Sequence, residues 1–303
     1  MARSSPARDN LLTRHPLVSF TVLAYGIAWL IEIPLALSQT GLGILPISLP
    51  LPTVALAIAA ATFAPTVAAF VMAWATEGRA GASALLKRYF QWRAGIVWYA
   101  FILLGIPAIV LLGAIVVPGA LASFQPLPTA ILLAYPMAFV MTFVLGGPLG
   151  EEPGWRGFAL PRLQRSYGPL VGSSAVGVLW ALWHLPLFWS GVWTPPTIAN
   201  IAMFIVMITA LTIIMAWVFN NTGGSLLIMM LMHASFNTFA NRIAAPLFPA
   251  PILDEYGLLP VLIGFSATAL VLIVATRGRL GYDRYHERET GRASGVPATG
   301  TAT

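Results

Sequence analysis

Two adjacent carboxylates and an arginine, Glu151, Glu152 and Arg156, stand in the glycine-rich stretch from Gly146 to Gly157, within a region otherwise almost free of charge. Two further apolar stretches each carry one polar cluster, Trp180-Ala181-Leu182-Trp183-His184 and His233-Ala234-Ser235-Phe236-Asn237. Ionisable groups at membrane depth are costly unless they are paired or solvated in a protein cavity, so such groups are functional candidates by default. Together they suit hydrolysis. Glu151 or Glu152 would act as general base on a water, His184 and His233 would orient that water or bind a metal, and Asn237 would donate to the developing oxyanion. Two adjacent carboxylates do not both ionise cheaply, so one of them should hold its proton more tightly than usual.

The metal question stays open at this point. A zinc site of two His and one Glu with an open position is chemically reasonable. The His-Glu-x-x-His signature of soluble zinc proteases is absent, and a water attack driven by glutamate alone uses the same residues. No other cofactor is indicated. Cysteine is absent, which removes a disulfide framework, a thiolate nucleophile and any Cys-based metal site.

Local spacing adds detail. Glu152 and Arg156 are four residues apart and share a helix face, so the arginine is placed to pair with the acidic group. Pro153 and Gly154 between them should weaken or kink that helix, which is tolerable at depth only beside protein or a water-filled cavity. Ser225, Met229, His233, Asn237 and Asn241 recur every four residues, making one polar stripe that must face a bundle interior. A bland alternative exists for each cluster: a surface ion pair for the acidic motif, a packed core histidine for His184, interhelical hydrogen bonding for the stripe.

The elements that hold these groups are membrane spans. The chain has 303 residues, of which 58% are hydrophobic and 9% charged, against about 25% charged in a soluble domain. Mean hydropathy is +0.83 and the isoelectric point about 10.1. The basic residues lie between hydrophobic runs rather than on one aromatic-interleaved surface, which argues against a nucleic-acid partner. A span needs about 20 mainly apolar residues. On that rule the sequence predicts an all-α polytopic bundle of about eight transmembrane helices around a polar cavity: Leu17 to Leu37, Leu51 to Ala75, Ile96 to Val117, one from Pro128 that carries the acidic motif inward and emerges near Arg162, Gly172 to Trp193, Ile198 to Phe219, Gly224 to Ile243, and Gly257 to Thr276.

Residues 1–16 read as a cytoplasmic arm, 17–276 as the membrane domain with its motif-bearing core at 131–241, and 277–303 as a polar cytoplasmic tail without full order. Thr76 to Ala94 mixes Arg79, Lys87, Arg88 and Arg93 with large apolar residues and reads as an amphipathic segment on the membrane surface. From a cytoplasmic N-terminus, every one of the 16 Lys and Arg except Arg242 falls on the inner side, as the positive-inside rule requires. The arm before the first span resembles a signal peptide, but that run is long and no clear cleavage site follows, so the span is read as retained.

Depth brings the clusters together. Glu151 lies eleven residues from Arg162, about 16 Å at helical rise, and His233 nine residues from Gly224, about 14 Å. His184 matches if its span begins near Ser173. Glu32, beside Pro34 at the outer end of the first span, reads as a snorkelling or packing carboxylate rather than a cavity residue. His15 and His286 lie in the polar arm and tail and read as solvated, and Trp183, Trp189 and Trp193 as packing and interfacial residues.

The motifs Glu151-Glu152-x-x-x-Arg156, Trp180-x-x-x-His184 and His233-x-x-x-Asn237 resemble those of the CPBP intramembrane proteases (CAAX proteases and bacteriocin-processing enzymes), relatives of the type II CAAX prenyl endopeptidases. The aromatic position is commonly Phe there and is Trp180 here. The resemblance implies an eight-helix membrane endopeptidase with Glu151, Glu152, His184, His233 and Asn237 in its active site and Arg156 supporting them. It implies a bacterial plasma-membrane setting, a membrane-associated peptide or protein as substrate and no nucleic acid, and it leaves the oligomeric state open. Two rivals use the same residues: a proton- or substrate-coupled transporter, which should show paired broken helices in two related halves, and a silent membrane partner or immunity protein.

Overall fold

The computed structural model describes residues 11–248 and 256–294; residues 1–10, with Arg3 and Arg8, and 249–255 and 295–303 lie outside them. Among the described residues the chain is helical and without strands. Seven helical stretches among these residues are long and apolar enough to cross a membrane. The principal helices are α1 (Pro16–Leu37), α2 (Leu51–Ala61), α3 (Ala64–Tyr89), α4 (Ile96–Ile115), α5 (Thr129–Leu145), α6 (148–167), α7 (Pro169–Trp183), α8 (Ile198–Asn221), α9 (Leu226–Phe239), α10 (Leu259–Thr276) and α11 (Tyr282–Ser294). Of the eight predicted spans, the seventh is the one outside that group of seven. It is α9, only 14 residues long before it passes into a wider turn, and it carries the polar stripe.

Lipid offers helices no hydrophobic reason to associate, so small residues that let backbones approach do much of the work. Ala24 and Ala28 of α1 are buried, as are Ala64, Ala68 and Ala69 of α3, a helix that α1 packs against. Gly113 of α4 and Gly264 of α10 meet so closely that a methyl on either would strike the other helix's backbone. The helices α7, α8 and α10 pack in sequence, α4 closes against α10, and α9 runs beside α5 and α6.

Three features of the chain go beyond the sequence reading. Gly78 takes φ 65° and ψ −157°, so the chain turns inside α3, and the amphipathic segment is a helix that runs to Tyr89. Its buried face is Gly81 and Leu85, while Arg79, Leu86 and Lys87 are exposed. The fourth span is not continuous into the acidic motif. It ends at Leu145, turns at Gly146 and Gly147, and restarts as α6. Within the tail, expected to be partly disordered, residues 282–294 form α11, and residues 295–303 lie outside the described ones. The helix docks through buried Tyr285 and an Arg88–Glu289 ion pair of 3.1 Å, contacts between residues too far apart in sequence to be read from it.

Candidate active site

Residues 146 and 147 set the site. Gly147 has φ 103°, a conformation that L side chains rarely adopt, and a side chain there would also collide with the Glu151 carboxylate. The turn therefore needs glycine twice over. It starts α6 so that Glu151, Glu152 and Arg156 all face inward, and all three are buried. Over Pro153–Ala159 the helix widens into a π turn. This is the weakened helix that Pro153 and Gly154 predict, and it is packed against α3 rather than exposed to lipid.

Two linked pairs form the cluster. In the deeper one, Glu152 Oε1 accepts from Arg156 Nη1 at 3.0 Å and from His233 Nδ1 at 2.8 Å. Arg156 also donates through Nη2 to Thr212 Oγ1 at 3.1 Å and lies 4.0 Å above the Trp180 ring. In the second, Glu151 Oε2 accepts from the Trp180 indole N–H at 2.6 Å and stands 3.9 Å from His184 Nε2. His184 Nδ1 is 2.8 Å from the Trp180 carbonyl. A carbonyl only accepts, so Nδ1 carries the proton and Nε2 presents a lone pair toward Glu151. The same logic applies to His233, whose Nδ1 donates to Glu152 and whose Nε2 is left as an acceptor. Each imidazole is thus pinned through one nitrogen with the other available.

These groups line a cavity of about 920 Å³ whose walls include Glu151, His184, His233 and Asn237. Asn237 donates to the Gly146 carbonyl at 3.1 Å, tying α9 to the turn before the acidic motif, and its amide keeps a second hydrogen. The six predicted site residues are therefore brought together. The depth argument needed α7 to begin near Ser173, but it begins at Pro169, directly after Gly168 at φ 79°. His184 consequently caps the end of α7 and still meets Glu151, because Trp180 one turn earlier bridges them.

Sequence reasoning missed three contributors. Trp180 was noted only as an aromatic motif position, yet its N–H, carbonyl and ring each contact a member of the cluster. Thr212, one of two threonines with Thr209 in the otherwise apolar middle of α8, is Arg156's partner and was not singled out. Glu32 was read as a snorkelling or packing residue; it is 1% exposed and lines the cavity. Trp183 and Trp193 also line the cavity, and Trp193 stacks on His184 at 5.7 Å between ring centres. Among the described residues no three His, Cys, Asp or Glu side chains gather as a set that could hold a metal ion.

Trp180→Phe isolates the indole donor, since the phenyl ring still lies under Arg156 and against His233. Hydrogen bonds to charged groups are worth about 1.5–3 kcal/mol. If Glu151 is the reacting carboxylate, turnover should fall by about 10–100-fold with an unchanged thermal midpoint; an unchanged rate would show the indole to be packing only.

Helices long and apolar enough to span a bilayer, enclosing a paired polar cluster, define an all-α polytopic membrane protein with an intramembrane cavity. Residues 133–239, which carry all three motifs, match the family described as type II CAAX prenyl endopeptidase Rce1-like, a match that spans about a third of the chain. A CAAX prenyl protease 2 of Methanococcus maripaludis is 30% identical over 92 residues, 29% of this chain and 34% of the relative. The chain thus matches about a third of the length of that curated relative.

Proposed function

We propose that this chain is an intramembrane endopeptidase of the CAAX prenyl protease type, hydrolysing a peptide bond in a membrane-associated peptide or protein. The observation that carries the proposal is the Glu151 carboxylate at the cavity wall, with the free nitrogens of two pinned imidazoles beside it. The family segment at 133–239 supports it. Glu151 takes one proton from a water whose other hydrogen is held by Nε2 of His184 or His233, and the water oxygen bonds to the scissile carbonyl carbon. The oxyanion that forms accepts from the second amide hydrogen of Asn237. As the carbon–nitrogen bond breaks, protonated Glu151 returns its proton to the departing amine. Glu152 and Arg156 do not touch substrate in this scheme; they hold His233 in its tautomer and orientation.

The test is cleavage of paired prenylated and unprenylated peptides by purified protein in detergent, comparing wild type with His184→Ala and His233→Ala. The expected result is cleavage by wild type and loss in both variants. Equal cleavage by all three would overturn the proposal. A chelator arm addresses zinc directly: activity lost to chelation and restored by zinc would place a metal at the two imidazoles, and activity indifferent to chelation would leave the glutamate as the sole activator of water.

A further inference from the structure

Among the described residues, the Glu32 carboxylate is the one acidic group of the cavity wall that the hydrolytic scheme does not use. It sits in the last third of α1, 1% exposed, and neither carboxylate oxygen finds a hydrogen-bond partner among the described residues. A buried carboxylate without donors is among the most expensive arrangements a protein can hold, so its partner should be something that arrives. It lines the same cavity as Glu151.

The surroundings fix the sign of that partner. Arg156 is engaged with Glu152, and Glu151 receives a neutral indole N–H and faces a neutral imidazole nitrogen. Among the described residues that line the cavity there is no Lys or Arg. Two carboxylates therefore face one chamber with no facing cation, and the chamber favours a positive guest and repels a negative one. The wall near Glu32 is apolar, with Val54, Ile58, Trp183 and Leu187 among its members. A charged tip on an aliphatic stem fits this combination, since the methylenes lie on the wall while the tip reaches the acid.

We propose that Glu32 forms a specificity subsite for a cationic group of the substrate, a lysine or arginine side chain or a free α-ammonium, held beside the bond on which Glu151 acts. The assignment rests on the hydrolase reading for the word substrate, but the subsite itself is a binding claim and is tested without cleavage.

The probes are dodecylammonium and dodecanol, which share a chain and differ in the charged tip. Binding to the purified full chain in a neutral maltoside micelle is followed by calorimetry, with empty micelles as reference. A charge-assisted contact should make the ammonium bind roughly tenfold tighter than the alcohol. Glu32→Gln, which keeps the size and removes the charge, should abolish the difference. Equal affinities in the wild type overturn the proposal whether or not the variant folds, and so does a preference that survives Glu32→Gln. If wild type also cleaves peptides, those with lysine near the scissile bond should show a lower KM than their acetyl-lysine counterparts, and Glu32→Gln should remove that advantage with kcat retained. An ammonium preference without cleavage of any peptide would leave the subsite standing and remove the hydrolase reading.

Discussion

Glu151→Gln is expected to lower peptide cleavage by about 10²–10⁴-fold, the contribution of a positioned general base, while the protein remains folded. The substitution is a narrow one. Glutamine has the same shape, and its amide oxygen still accepts the Trp180 N–H that now reaches Glu151 Oε2 at 2.6 Å. It loses only the capacity to take a proton. Because no ion pair of the deeper cluster involves Glu151, the thermal midpoint should stay near that of the wild type. The loss should appear in kcat and kcat/KM together, since the missing function acts in the transition state rather than in binding. The adjacent Glu152→Gln is the internal control. Glu152 accepts from both Arg156 and His233, so its variant should lose stability as well as rate. Cleavage by Glu151→Gln at the wild-type rate would move the base elsewhere in the cavity.

The contrast between these neighbouring carboxylates shows which parts of the site were legible in the sequence. The spacing of Glu152 and Arg156 predicted their pairing because a four-residue interval is a property of any helical turn. The every-fourth polar stripe predicted the inward face of α9 for the same reason. Span positions followed from hydrophobic length. Glu32 was misjudged because α1 is apolar around most of its circumference, so nothing in its sequence fixed the rotation that turns residue 32 toward the cavity. The interruption at Gly146 and Gly147 was missed as well. An apolar run reads as continuous, and what seats this restart is tertiary: Gly150 and Gly154 lie against the backbone at Thr62 and Pro65. The helix α11 was hidden by its polar composition, since its anchor, Tyr285, matters only once the chain has folded back.

Arg156→Leu is expected to give the largest loss of stability of any single change at the site. Arg156 and Glu152 are both fully buried, and their 3.0 Å contact is the only ion pair Arg156 makes among the described residues. Removing one member of such a pair strands the other charge and costs about 3–5 kcal/mol, which corresponds to a fall in thermal midpoint on the order of 10 °C. Arg156→Lys should recover little, because an ammonium does not reproduce a planar fork that serves Glu152 and Thr212 from different nitrogens while its carbon sits 4.0 Å over the Trp180 ring. The double variant Arg156→Leu with Glu152→Leu should regain much of the lost stability, as replacing a whole buried pair by apolar groups is often neutral. It should not regain cleavage, because His233 then has no carboxylate to hold its Nδ1 proton. Recovery of both stability and rate in the double variant would mean that the deeper pair is a packing feature and that His233 takes its orientation from something else. Recovery of neither would mean that the protein needs the charges themselves, with Thr212 and the Trp180 ring too closely fitted to the guanidinium to accept any substitute.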